Sequence, residues 1–157
     1  MAPDAATLPA DAPRLLLPGL RVLPPGVERF VVTGGGSLTL PVFAGDRLEV
    51  IDREGRQACE IVAMTVDGKE APGLIGAQDR GPAEGLRAML AQGGEETDRL
   101  LAALSHRGMP ARFEHGTRLF GGDTPAGARQ DFAVEADGIV VIAAPGEAMT
   151  VGEHATL

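Results

Sequence analysis

Residues 42–66, which read VFAGDRLEVIDREGRQACEIVAMTV, contain two strand-like segments joined by a tight turn. In the first segment Leu48 and Val50 alternate with charged residues, which is typical of a strand with one face in a core. The second segment, 57–66, is apolar at nearly every position, which is typical of a strand covered on both faces. This pattern predicts a mainly β fold, a barrel-like or distorted sandwich of antiparallel strands.

Further strands are predicted on both sides of this pair. Phe30 and Val32 begin one strand before the glycine turn 34–36. The next strand contains Pro41, which cannot donate to a ladder and therefore restricts that strand to a sheet edge or a bulge. The remaining candidates are 112–115, 117–120, 131–135 and 139–143.

The middle of the chain changes to a helical pattern. Pro82 lies near the first turn of one predicted helix, which ends at the two glycines 93–94. A stripe of leucines that includes Leu100 and Leu104 indicates a second helix. We therefore predict a helical hairpin at about residues 82–107, inserted into a single β-rich domain 26–157. An Ala- and Pro-rich flexible arm, 1–25, precedes this domain.

The composition excludes several classes of function. The net charge is −8, with 22 acidic against 14 basic residues, so a nucleic-acid backbone would be repelled. An aromatic content of 3% offers few faces for stacking bases or enclosing quaternary ammonium groups. The single cysteine, Cys59, fits a reducing compartment. Without a secretory leader pattern or an apolar run of membrane length, the sequence predicts a cytoplasmic protein that binds neither nucleic acid nor membrane.

The soft metal ligands are Cys59 and 3 histidines, and none of them stands at a spacing typical of a zinc motif. A zinc site would have to join separate strands, with Cys59 and His115 as the available pair. The same pair could act as nucleophile and base, although no cationic cluster surrounds the thiol. The simpler interpretation is a buried free thiol and a solvated imidazole.

The glycine-rich loop 121–127 offers another candidate site. It contains Asp123, and Arg129 follows it. Its backbone amides could hold an anion, although no phosphate-loop motif is present. The alternative is a wide connection between two strands.

The carboxylates around the turn differ in their surroundings. Asp52 and Glu54 flank the turn and are expected to be solvated. Glu60 lies among apolar neighbours, and a buried carboxylate needs a partner. The candidate partners are Arg47, Arg56 and Arg118.

This turn segment resembles the urea carboxylase-associated family, a domain of unknown function whose β-rich, barrel-like fold carries the run G-x-x-L-x-I-x-D-x-x-G-x-Q-A-x-D. Similar domains are fused to folate-binding, aminomethyltransferase-like domains in bacterial demethylases of methylated amines. The positions that match are Gly45, Leu48, Val50, Asp52, Gly55, Gln57 and Ala58, with Glu60 where the family usually has Asp.

The resemblance implies a non-catalytic accessory or assembly module of such a demethylase. Family members that hold a metal carry further cysteines, and this chain has none after Cys59. Zinc is the candidate metal of the chain itself. Tetrahydrofolate is expected only in an associated domain or partner, and a protein partner or homo-oligomer is expected. The alternative is a small metal-dependent enzyme or small-molecule-binding β-barrel with Cys59 in its pocket. No catalytic role is assigned, and the candidate ligand-binding residues are Gln57, Cys59, Glu60, His115, Arg118, Asp123 and Arg129.

Overall fold

The computed structural model describes residues 25–77 and 81–145, so most of the predicted arm lies outside the described residues. The chain divides into two units after Val31. In the first unit, residues 25–31 begin with a turn and form no helix or strand. The second unit contains β1 (Ser37–Val42), β2 (Arg47–Asp52), β3 (Cys59–Thr65), a 3-10 helix (Pro72–Ile75), α1 (Glu84–Gln92), α2 (Glu95–His106), β4 (Thr117–Leu119), β5 (Ala128–Ala133) and β6 (Gly138–Ala143).

The strands form two antiparallel sheets. One sheet has four strands in the order β1-β6-β3-β4, and the other pairs β2 with β5. The predicted fold class is confirmed as a mainly β, sandwich-like arrangement, and the strands of the described residues do not close into a barrel. Pro41 lies in β1, which pairs with β6 alone among the described strands and is an edge strand of the sheet, as the sequence predicted.

The four-stranded sheet is covered on both faces, which explains the apolar character of its central strands. All of β6 and all but the last residue of β3 are buried. Side chains alternate across the sheet, so Val62 and Met64 join one core with Leu86 of α1 and Leu100 of α2. The prediction of a doubly covered strand is confirmed.

The opposite face of the same sheet packs against the two-stranded sheet. Ile61 and Ala63 of β3 share this second core with Phe132 of β5 and Leu74 of the 3-10 helix. Each fully buried apolar side chain of this kind contributes about 1.5–3 kcal/mol to folding. The described part of the second unit therefore has three layers, with β3 and β6 in the middle one.

The predicted helical hairpin is confirmed. Gly93 and Gly94 separate the two helices with φ angles of +75° and +110°, values that L side chains rarely adopt. The hydroxyl of Thr97 donates to the carbonyl oxygen of Met89 at 2.6 Å and joins the second helix to the first. No helix in the described part of the chain is both long and apolar enough to cross a membrane.

Two predicted strands are wrong. Residues 27–33 form no strand, because no described strand pairs with them and a lone strand leaves its backbone groups unpaired. At 112–115 only one isolated bridge forms, between His115 and Pro82. Here side chains take the place of a ladder. The Arg87 guanidinium donates to the carbonyl of Phe113 at 2.9 Å, and the Glu70 carboxylate accepts from the Glu114 N–H at 2.6 Å.

Candidate functional site

Asp52 closes the turn between β2 and β3. The residue is 6% exposed, and its two carboxylate oxygens accept from the backbone N–H groups of Gly55 at 2.9 Å and Gln57 at 3.0 Å. The expectation that Asp52 is solvated is therefore wrong. The local signal was available, because an aspartate whose side chain bonds to backbone amides a few residues on is a common device of tight turns.

The glycine-rich loop 121–127 packs directly on this turn. The Arg56 N–H donates to the Thr124 carbonyl at 2.9 Å, and the Gly127 N–H donates to the Asp52 carbonyl at 2.7 Å. A Cβ at Gly55 would lie 2.8 Å from the backbone nitrogen of Ala126, so only glycine allows this approach. The loop is thus a connection held against the turn.

Asp123 and Arg129, the two polar residues predicted to form a site with that loop, are both exposed to solvent. Asp123 is exposed within the loop. Arg129 lies on β5, where its guanidinium pairs with Glu49 of β2 at 2.9 Å. They do not converge with the other candidate residues.

Gln57 links the start of β3 to the residues after β6. Its side-chain amide donates to the carbonyl oxygens of Ala58 at 2.9 Å and Pro145 at 3.4 Å. Both bonds go to backbone within the protein.

Glu60 is bonded to the first turn of α1. The residue is 3% exposed, and its oxygens accept from the N–H groups of Gly85 at 2.7 Å and Leu86 at 2.9 Å. These amides have no partner inside the helix, and the helix dipole favours a negative charge there. The expectation that Glu60 is buried and partnered is confirmed, and its partners include the backbone amides of Gly85 and Leu86 in place of the arginine expected alone.

Gly85 makes this contact possible. A Cβ at Gly85 would lie 2.8 Å from Glu60 Oε2 and 2.5 Å from Pro145 Cγ. The absence of a side chain therefore allows the carboxylate and the proline ring to reach the helix together.

Two small clefts share Gly116 in their lining, and they contain three of the predicted residues. One, of about 190 Å³, is lined by Glu60, Glu84 and Arg118, with Pro82 and Gly116. Arg118 stands directly opposite Glu60 in the pairing of β3 with β4. The other cleft, of about 210 Å³, includes His115, whose Nδ1 lies 3.4 Å from Glu70 Oε1. Gln57, Cys59, Asp123 and Arg129 line neither cleft.

Cys59 is held in its protonated form. Burial raises the pKa of its thiol to about 12, and the negative charges of Glu60 and Asp52 add to the shift. A thiol is a weak nucleophile, and metal binding needs the thiolate. Burial and charge thus oppose both chemistries proposed for Cys59.

The structure does not bring Cys59 and His115 together. Cys59 pairs with Leu119 of β4, four residues along the chain from His115, a separation of roughly 13 Å in an extended chain. Across the described residues, no group of three or more His, Cys, Asp and Glu side chains is placed to hold a metal ion.

Comparison with known proteins adds a relative of stated activity. The chain is similar to a segment of the trimethylamine-oxide aldolase of Ruegeria pomeroyi (strain ATCC 700808 / DSM 15171 / DSS-3). The two are 38% identical over 147 residues, which are 94% of this chain and 19% of that protein. The chain therefore spans about a fifth of the length of the curated relative it matches. No family model and no solved structure matches the chain, so the link to the urea carboxylase-associated family stays a prediction.

Proposed function

We propose that this chain is an accessory or assembly domain of a methylated-amine enzyme that resembles trimethylamine-oxide aldolase. The observation that carries the proposal is the match of 94% of the chain, at 38% identity, to only 19% of that enzyme. The matched length of 147 residues is typical of one domain. Most of the relative therefore lies outside the match, where the reacting groups are proposed to be.

The use of the polar side chains supports a role without catalysis. Hydrogen bonds to backbone groups of the protein itself are formed by the side chains of Asp52, Gln57 and Glu60. Acid–base catalysis instead requires a group within hydrogen-bond reach of the substrate, with a pKa near the operating pH. The raised pKa of Cys59, about 12, opposes nucleophilic chemistry in the same way.

The clefts also favour an accessory role. Their volumes of about 190 and 210 Å³ are below the roughly 300–1,000 Å³ typical of small-molecule pockets. Tetrahydrofolate, if the whole enzyme uses it, is proposed to bind in an associated domain or partner. The location proposed for the domain is the cytoplasm, which the single reduced cysteine supports.

A chimeric enzyme tests this proposal. The matching segment of the Ruegeria pomeroyi enzyme is replaced by this chain, and a second variant lacks the segment altogether. Consumption of trimethylamine oxide is followed through its N-methyl signal by proton NMR. We expect turnover by the chimera, strongly reduced activity or soluble yield for the deletion, and no turnover by this chain alone.

Point variants of the chimera separate an accessory role from a catalytic one. Cys59→Ala and His115→Ala remove the two side chains most suited to chemistry. An accessory role predicts a kcat within about twofold of the parent, whereas loss of an acid–base group typically lowers the rate by ~100-fold or more. A loss of that size in a folded variant, or full activity of the deletion variant, contradicts the proposal.

A further inference from the structure

Within the described part of the chain, the outer edge of β5 has no neighbouring strand. In the two-stranded sheet the one described strand beside β5 is β2. Four of its six residues, 129–131 and 133, are exposed. Outside the pairing with β2, no backbone hydrogen bond of Arg129, Asp131 or Ala133 is formed with any other described residue.

The ladder with β2 determines which backbone groups face outward. The Val134 N–H donates to the Asp46 carbonyl at 2.9 Å, next to the paired positions Arg47 and Ala133. Because bonded and non-bonded pairs alternate in an antiparallel ladder, the backbone groups of Gln130 and Phe132 face β2. Those of Arg129 and Asp131 therefore face the open edge.

We propose that this edge is an interface that pairs with β5 of a second copy of the chain. An antiparallel pairing about a two-fold axis at Gln130 places Arg129 of each copy opposite Asp131 of the other. The register brings the outward backbone groups of both residues together and adds two cross-strand pairs of opposite charge. The result is a continuous four-stranded sheet, β2-β5-β5-β2, with an isologous interface.

Charge complementarity favours self-pairing of two copies through β5 over self-pairing through β2. A self-pairing of β2 that opposes Arg47 with Glu49 is centred on Leu48, at one end of the strand, and only three residues of Arg47–Asp52 overlap. The register at β5 is centred on Gln130 and overlaps five of its six residues. The β5 edge therefore offers the longer complementary pairing.

A single strand pair buries less surface than the ~1,200 Å² of a stable interface, so the dimer is weak and depends on protein concentration. Sedimentation equilibrium of the whole chain, from micromolar to millimolar concentration, measures it. Asp131→Arg places arginines opposite each other, and Arg129→Asp does the same with carboxylates. We expect each variant to weaken self-association roughly tenfold.

Mixing the two variants gives the decisive measurement. Asp131→Arg supplies arginine at both positions and Arg129→Asp supplies aspartate at both, so the two chains complement each other at every opposed pair. We expect the mixture to associate as tightly as the parent, which also shows that both variants are folded.

A matched control addresses the ion pairs within the sheet, Arg47 with Asp131 at 3.4 Å and Arg129 with Glu49 at 2.9 Å. Arg47→Asp with Glu49→Arg disrupts both of these pairs on β2 and leaves the β5 edge unchanged, so association should persist. A monomer at all concentrations overturns the proposal, since the edge is then hydrated. The proposal is also overturned if both β5 variants dimerise as tightly as the parent, or if the mixture of the two variants stays monomeric. None of these outcomes depends on the role proposed in methylated-amine chemistry.

Discussion

Two regions of this molecule are built on the same element, a buried carboxylate that accepts two backbone N–H groups. At the turn between β2 and β3, Asp52 bonds to amides three and five residues further along the chain. At the start of α1, Glu60 bonds to amides 25 and 26 residues away. The chemistry is the same, but the first site fixes a local turn and the second attaches one layer of the fold to another.

Because the two sites differ in how far apart the bonded residues are along the chain, we expect loss of their bonds to lower the free energy of unfolding by different amounts. Loss of the Asp52 bonds affects a turn whose flanking strands are also held by their own ladders. Loss of the Glu60 bonds leaves two helix-terminal amides unpaired next to a residue that is itself only 3% exposed. An unsatisfied buried donor costs about 1–3 kcal/mol, so the long-range site should be the more sensitive of the two.

The largest effect is expected for Glu60→Gln. The amide side chain keeps one acceptor for Gly85 or Leu86 but presents its NH2 group to the other N–H donor. Because bonds to charged groups contribute about 1.5–3 kcal/mol each, the free energy of unfolding should fall by about 3 kcal/mol. Urea unfolding measures it, and amide hydrogen exchange at Gly85 and Leu86 should accelerate.

The control for this variant is Glu84→Gln, on the same first turn of α1 but exposed. It should change the free energy of unfolding by less than ~0.5 kcal/mol. Equal effects of the two variants would mean that α1 responds to charge near its N-terminus and not to the Glu60 bonds.

The next effect is expected for Gly85→Ala, which crowds the same site without altering its charge. The new methyl group would lie 2.5 Å from Pro145 Cγ, so the proline or Glu60 has to move. Overpacking of this kind costs about 1–3 kcal/mol, part of which the better helix propensity of alanine offsets. We expect a loss of about 2 kcal/mol in urea unfolding.

Gly73→Ala is the matched substitution, because a Cβ at Gly73 would meet no atom within 4 Å. It should be neutral or slightly stabilising, since alanine restricts the unfolded chain. If Gly85→Ala were as harmless as Gly73→Ala, the close approach of Glu60 to α1 would not be needed for stability.

A smaller effect is expected for Asp52→Asn. One side-chain oxygen remains for Gly55 or Gln57, and the part-buried turn lets water reach the amide that loses its partner. The expected loss is about 1.5 kcal/mol. Glu54→Gln, at an exposed position of the same turn, serves as the reference, and a loss for Asp52→Asn above that for Glu60→Gln would reverse the ranking of the two regions.

The same difference between local and long-range contacts explains which parts of the fold could be predicted from the sequence. The apolar run of β3, Pro41 at an edge and the hairpin 82–107 are local or periodic signals, and they predicted the corresponding elements. The Glu60 bonds join residues that no spacing relates, so the sequence indicated only that this carboxylate needs a partner. The strand predicted at 112–115 failed for the same reason, because side chains of Glu70 and Arg87 occupy its backbone groups from distant positions.

The candidate site was predictable only in part. Glu60, His115 and Arg118 line two clefts that share Gly116, whereas Cys59 lines neither, and a role of these residues in ligand binding stays a prediction. The sequence left open whether Cys59 is a reactive thiol or a buried free one. Its reactivity depends on burial and on charges placed by the fold, which composition and spacing do not encode.

The charges of both carboxylates raise the pKa of Cys59, which makes the stability of the protein depend on alkaline pH. The pKa of its thiol rises from 9.0 to about 12 in the folded protein, chiefly through burial, then through Glu60 and then Asp52. Above pH 9 the unfolded chain loses this proton while the folded chain keeps it, so alkaline pH favours unfolding. At pH 10 the contribution is a loss of about 1.4 kcal/mol relative to neutral pH.

Urea unfolding of the parent and of Cys59→Ala at pH 8 and pH 10 isolates this contribution, because all other titrating groups are common to both proteins. The parent should lose more stability than Cys59→Ala between the two pH values, and parallel losses would contradict the raised pKa. The pKa of the thiol in the folded protein, followed through the ultraviolet absorbance of its thiolate, should be lower in the Glu60→Gln and Asp52→Asn backgrounds, and more so for Glu60→Gln, because the Glu60 charge contributes more to the pKa shift. The carboxylate that attaches α1 would then also be the one whose charge Cys59 senses more strongly.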